Sequence, residues 1–67
     1  MGISARNQLQ GTIKQITLGN VMGEVVMDVA GGELVAAITR RSVETLGLKE
    51  GDEVTAVIKA TEVMVMK

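Results

Sequence analysis

A chain of 67 residues with no cysteine, no histidine and no aromatic side chain has few ways to hold itself folded. Domains this short have little interior, and most are stabilised by disulfides, a metal or a partner subunit. Without cysteine there can be no disulfide. Without cysteine and histidine a transition-metal site loses its usual ligands. Without Phe, Tyr and Trp the largest buried areas are missing, so the core must come from Val, Ile, Leu, Met and Ala. Yet 46% of the chain is hydrophobic, more apolar surface than one thin core can hide. The remainder is expected to lie between copies, so the sequence predicts a single domain over residues 1–67 that forms a homo-oligomer.

Charge narrows the choice of partners. Seven Lys and Arg against eight Asp and Glu leave a net charge of −1, and no overall field draws the chain to nucleic acid or anionic lipid. No apolar run reaches transmembrane length, and the first residues, Met1 to Asn7, contain no stretch of signal-peptide type. A soluble, cytoplasmic protein without membrane or nucleic-acid partners is expected.

Period-two alternation dominates the pattern. Leu9, Gly11 and Ile13 share one phase, which slips to Ile16 and Leu18. Such a slip predicts a bulge near Lys14-Gln15. Gly19-Asn20 reads as a tight turn. A second strand follows over about Val21–Val29, with Val21, Gly23, Val25, Met27 and Val29 on one face. After Gly31-Gly32 comes a third strand, about Leu34–Ile38. Thr39 can cap one short helix in which Val43 and Leu46 have helical spacing. Gly47 suits its left-handed end, and Leu48 folds back to the core. Lys49-Glu50-Gly51-Asp52 is a turn. The last strand is long and bent near Thr61-Glu62, with Val54, Ala56 and Ile58 on one phase and Val63 and Val65 on the other. Met64 and Met66 make its end apolar on both faces, and burial against another subunit is expected there. This order predicts an all-β, OB-like five-stranded Greek-key barrel with one short helix, one long strand counting as two.

No catalytic apparatus is visible. There is no imidazole or thiol to act near neutral pH, the carboxylates Glu24, Asp28 and Glu62 fit solvated strand faces, and no phosphate loop occurs. The chain therefore reads as a non-enzyme. Donors suited to an anion are better represented: Ser4 and Arg6, with Asn7 adjacent; Thr39 and Ser42 at the helix start, where backbone N–H groups lack partners; and Lys59 in an apolar stretch. Hydroxyls, N–H groups and one or two cations are what a tetrahedral dianion requires. Each also has an ordinary reading. Ser4 to Asn7 fit a frayed terminus, Thr39 and Ser42 a helix cap, and Lys59 a stem snorkelling to water. Arg40 and Arg41 fit a solvated face.

Taken together, Ser4-Ala5-Arg6-Asn7, Gly11-Thr12-Ile13, Gly19 to Val25, Leu34 to Thr39 and Gly51 to Val63 resemble the molbindin, or Mop, family over essentially the whole chain. The resemblance implies OB-like barrels assembled as dimers or as hexamers that are trimers of dimers. It implies molybdate or tungstate oxyanions held at subunit interfaces for intracellular molybdenum storage and homeostasis, with no cofactor and no direct metal ligand. Ser4 and Arg6 would come from one partner and Thr39, Ser42 and Lys59 from the other, with Asn7 ordering the N-terminal segment. Some members carry a second kind of site on a threefold axis; the Gly19–Gly23 loop is a candidate, although Asn20 stands where several relatives have histidine or lysine. The alternative is an AbrB-like DNA-binding regulator module, suggested by Arg40 to Val54. The balance of acidic over basic residues opposes it, and the missing aromatics oppose a base-stacking OB domain.

Overall fold

The computed structural model describes residues 6–67. Their elements run in the order β1 (Asn7–Leu18), β2 (Met22–Val29), β3 (Gly32–Thr39), α1 (Arg40–Leu46) and β4 (Glu53–Ile58), with a 3-10 turn at Ala60–Glu62. The strands form one antiparallel sheet in the order β3-β2-β1-β4. A fourth strand that returns to lie beside the first is the Greek-key arrangement.

β1 organises the sheet because it serves two neighbours. Over Asn7–Thr12 it pairs with β4 and over Gly11–Leu18 with β2. Gly11 sits at the overlap, opposite both Val29 and Val54. A methyl group there would come 2.7 Å from the Asp28 carbonyl oxygen and 2.8 Å from Val29 Cγ1, so the crossing admits only a residue without Cβ. The expected bulge is present: register slips between Ile13 and Gln15, leaving Lys14 as the extra residue. Beside it the 49–52 turn completes the ladder. The Ile13 N–H donates to the Asp52 carbonyl and the Gly51 N–H donates to the Ile13 carbonyl, both at 2.8 Å.

The short helix is defined at both ends. Thr39 caps its start by accepting the Ser42 N–H. At its end Gly47 adopts φ 64°, ψ 36°, a left-handed conformation that costs a residue with Cβ. The Leu48 N–H then reaches the Val43 carbonyl and the Gly47 N–H the Glu44 carbonyl, the paired bonds of a Schellman ending. That turn brings Leu48 against the core, as expected. Leu46, expected on the same face as Val43, is instead 68% exposed, since seven residues leave only Val43 facing the sheet.

The core is as thin as its composition requires. Ile13, Val25, Met27, Val43 and Ala56 are the buried hydrophobic residues, ringed by partly buried Ile16, Val29, Leu34, Ala36, Ile38, Leu48 and Val54. Among the described residues no helix is long and apolar enough to cross a membrane.

One expectation needs correction and another is met in part. Gly19-Asn20 is not a two-residue hairpin turn: β1 ends at Leu18 and β2 starts at Met22. Neither residue has positive φ, so the loop is not of the type that needs left-handed backbone; the Gly19 N–H closes it on the Met22 carbonyl at 2.7 Å. Four strands, not five, are formed among the described residues. The anticipated bend is the 3-10 turn at Ala60–Glu62, and the residues beyond it join no strand ladder among the described residues. The described sheet is therefore four curled strands with β3 and β4 at its edges. Between those edges lies an apolar groove of about 560 Å³, bordered by Leu34 and Ile38 on one side, Val54 and Ile58 on the other, and Leu46 and Leu48 at the helix end.

Candidate functional site

The last registered pair of β1 and β4 is Asn7 with Ile58. Arg6 and Lys59 adjoin this pair, each one residue beyond the end of its strand. Two cations distant in sequence are thus set at one end of the sheet. The ion pairs among the described residues are Lys14–Glu33 and Arg40–Glu44, so neither Arg6 nor Lys59 has a carboxylate partner there. The resemblance divides these two cations between the sites of two subunits, and each chain carries both beside the Asn7–Ile58 pair. Ser4 lies outside the described residues.

Thr39 and Ser42 meet directly. The Thr39 hydroxyl donates to Ser42 Oγ at 2.8 Å and accepts the Ser42 N–H at 3.1 Å. Thr39 is thereby committed on both sides, whereas Ser42 retains its own hydroxyl proton to give away. Two of the backbone donors expected to be unpaired are also engaged. The Arg40 N–H bonds the Val21 carbonyl at 2.8 Å, and the Ser42 N–H bonds Thr39. Side-chain hydroxyl, more than open helix start, is what this corner offers. Thr39 and Lys59 each follow a residue, Ile38 and Ile58, that lines the groove between the free edges.

The arginines of the helix are held differently. Arg40 Nε donates to Glu44 Oε2 and its Nη1 to the Gly19 carbonyl, both at 3.4 Å. Arg40 therefore ties the helix to the β1–β2 loop. A phosphate-binding surface would need its charge free, which weighs against the AbrB-like alternative.

A separate polar cleft lies where β1 changes partners, lined by Gln10, Thr12, Asp28, Glu53 and Thr55. Its two carboxylates repel a dianion, and among the described residues no cluster of three or more His, Cys, Asp or Glu could hold a metal ion. Sequence reasoning did not single out this cleft, since its members share no motif and meet only through the sheet register.

The TOBE domain family matches residues 3–65. Molybdenum-pterin-binding protein 3 of Clostridium pasteurianum is 52% identical, with 98% of each chain covered. A molybdate-binding protein from Sporomusa ovata has a solved structure that superposes with a TM-score of 0.95 at 57% identity, covering 100% of both chains. The cytoplasmic molybdate-binding protein ModG, solved with molybdate bound, superposes with a TM-score of 0.83 at 46% identity; the match covers 90% of this chain and 43% of ModG. The same four curled strands and short helix therefore recur in proteins described as binders of molybdenum compounds, and the chain belongs to the TOBE domain family and, within it, to the molybdenum-pterin-binding (Mop) group.

Proposed function

We propose that the chain is a passive oxyanion binder, without catalytic activity, that holds molybdate or tungstate between the subunits of a homo-oligomer. Residues 1–67 act as one domain, the assembly is a hexamer built as a trimer of dimers, and the role is molybdenum storage and homeostasis in the cytoplasm. Molybdate-binding descriptions of close relatives support the ligand, and the description of ModG as cytoplasmic supports the compartment. The observation that carries the reading is that Arg6 and Lys59 both adjoin the last pair of the β1–β4 ladder, Asn7 with Ile58, and neither is in an ion pair among the described residues.

Two adjacent like charges repel, and a dianion between them converts that repulsion into attraction on both sides. Charge-assisted hydrogen bonds of this kind are roughly twice as strong as neutral ones. Ser4 and Ser42 supply the uncharged donors that replace hydration, Ser42 with the hydroxyl proton that Thr39 leaves free, while Thr39 orients Ser42. The anion sits where the Arg6–Lys59 end of one chain meets a neighbouring chain, so a monomer holds only part of the site. Rigid donors select by size: molybdate and tungstate are larger than sulfate and phosphate, and phosphate also carries protons at neutral pH.

Isothermal titration of the wild type and Lys59→Ala with molybdate, tungstate, sulfate and phosphate tests this. Lys59→Ala is expected to keep its native mass and lose most of its affinity for molybdate. Unchanged affinity in that variant removes Lys59 from the site, and equal affinity of the wild type for sulfate and molybdate refutes selection by size.

A further inference from the structure

We propose that Arg40 is a positioning residue that couples the Ser42 hydroxyl to the β1–β2 loop, so that the loop and the first turn of α1 order together when the oxyanion binds. The inference rests on the proposed function, in which Ser42 faces the anion, and adds to it a residue that acts without touching the ligand.

Three observations support it. First, the loop between Leu18 and Met22 is held mainly by one residue. Among the described residues, its hydrogen bonds run from the Gly19 N–H to the Met22 carbonyl at 2.7 Å, from the Arg40 N–H to the Val21 carbonyl at 2.8 Å, and from Arg40 Nη1 to the Gly19 carbonyl at 3.4 Å. Only the first is internal to the loop; Arg40 makes the other two. Secondly, the guanidinium is held in place from the far side. Its Nε donates to Glu44 Oε2, one helical turn on, at 3.4 Å. A planar fork of fixed donors serves both acceptors at once, which a point-like ammonium does not. Thirdly, Arg40 stands between the loop and Ser42. Met22, where the loop ends, is registered opposite Thr39. Thr39 in turn donates to Ser42 Oγ at 2.8 Å and accepts the Ser42 N–H at 3.1 Å. Loop, Thr39, Arg40 and Ser42 therefore form one connected unit.

An anion that accepts the Ser42 proton restricts the first turn of α1, and through Thr39 and Arg40 it restricts the loop. Linkage makes the effect mutual. The factor by which the anion steadies the loop equals the factor by which a steadied loop strengthens anion binding. Val21 is 72% exposed and Met22 47%, so little packing competes with these bonds in ordering the loop. The guanidinium contacts are exposed and long, which sets the expected factor at about three- to fivefold.

Arg40→Gln removes the fork and keeps the backbone bond to Val21. Amide hydrogen exchange and molybdate titration of the wild type, Arg40→Gln and Arg40→Lys test the coupling. In ligand-free Arg40→Gln the amides at positions 19 and 40 are expected to exchange about three- to fivefold faster than in the wild type, while those of Val25 and Met27 in the core are unchanged. Molybdate affinity is expected to fall by a similar factor. Arg40→Lys, which reaches one acceptor at a time, is expected to recover only part of both. Molybdate should slow exchange at Gly19 in the wild type and slow it less in Arg40→Gln. Wild-type affinity in Arg40→Gln would overturn the coupling. Equal acceleration at Val25 and Met27 would do so too, since it would reduce Arg40 to a general stabiliser. A wild type that binds no molybdate refutes the binding function and the coupling with it, whereas a wild type that binds while its Gly19 amide is unaffected refutes the coupling alone.

Discussion

Helix and sheet fit tightly where Gly23 of β2 faces Val43 of α1. A Cβ at position 23 would stand 2.9 Å from Val43 Cγ2 and 3.1 Å from Leu18 Cδ2. Val43 is 4% exposed and is the buried residue of α1. Val43→Ala removes two carbons, about 1.6 kcal/mol at about 0.8 kcal/mol per methylene. The void left under a helix held by one side chain raises this to roughly 2–3 kcal/mol. Gly23→Ala overpacks the same spot, at about 1–3 kcal/mol, offset by the roughly 0.5–1 kcal/mol gained on removing a glycine from a strand. Each change alone is a large fraction of the roughly 3–10 kcal/mol available to a domain of this size. Together they should compensate, because the new methyl enters the space that the valine methyls vacate. The double variant is expected to recover at least about 1 kcal/mol of the summed losses. Urea unfolding of wild type, both single variants and the double variant measures this, at one fixed protein concentration because association contributes to apparent stability. Val43→Ala alone should lower the midpoint of thermal unfolding by roughly 10–20 °C. Losses that simply add, within about 0.5 kcal/mol, would show that Gly23 and Val43 do not share a contact and that the helix is held some other way.

The hydroxyl pair should separate into a structural and a ligand-facing member. Thr39→Ala is expected to cost about 1 kcal/mol of stability through loss of the cap and to weaken anion binding, whereas Ser42→Ala should weaken molybdate binding about tenfold with little change in the unfolding midpoint; the opposite division, read by titration and urea unfolding together, would reverse the assignment. Deleting residues 1–6 should weaken molybdate binding more than it weakens folding, and loss of the oligomer in that variant would make the segment structural. The ammonium of Lys14 is held above its usual pKa by its hydrogen bond to Glu33, then by the Glu33 charge and that of Asp28. A group raised in this way supports the fold below its unfolded pKa and ceases to do so as pH climbs through the folded value, so Glu33→Gln should move the Lys14 titration, followed by NMR, to lower pH; an unmoved titration would show that the pair does not persist in solution.

Much of the fold could be read from alternation alone, because a strand half buried on a thin core writes its inward face at every second residue. The slip between Ile13 and Ile16 marked the bulge at Lys14, and Thr39 with Gly47 bracketed the helix at both ends. What failed did so for physical reasons. Leu46 has the right spacing to join Val43, but a seven-residue helix touches the sheet over too short a length for both to face it. Gly19-Asn20 has the composition of a tight turn, yet the loop closes with ordinary negative φ because Val21 extends it and Arg40 braces the Gly19 carbonyl. The five-strand expectation counted one long strand as two, and the bend that divides the last one is the 3-10 turn at Ala60–Glu62, beyond which Val63 is extended. Pattern reports what a segment can bury, not which surface it is buried against.

The same distinction governs the site. Residue type picked out Arg6, Thr39, Ser42 and Lys59 as anion donors, since a chain without histidine, cysteine or aromatic rings has only hydroxyls, backbone and cations with which to recognise a small ligand. Which donors stand together depends on ladder register, which no local motif encodes. Antiparallel pairing of Asn7 with Ile58 brings the adjoining Arg6 and Lys59 to the same end of the sheet, and the cap geometry fixes which of Thr39 and Ser42 keeps a free proton. The arrangement also explains how an acidic chain presents a positive point. Glu33 pairs with Lys14, Glu44 with Arg40, and Asp28 and Glu53 line the polar cleft, so none of these four carboxylates pairs with Arg6 or Lys59. Local sign, set by register, decides what the surface attracts at a distance shorter than the Debye length of about 8–10 Å, and the net charge of the chain does not.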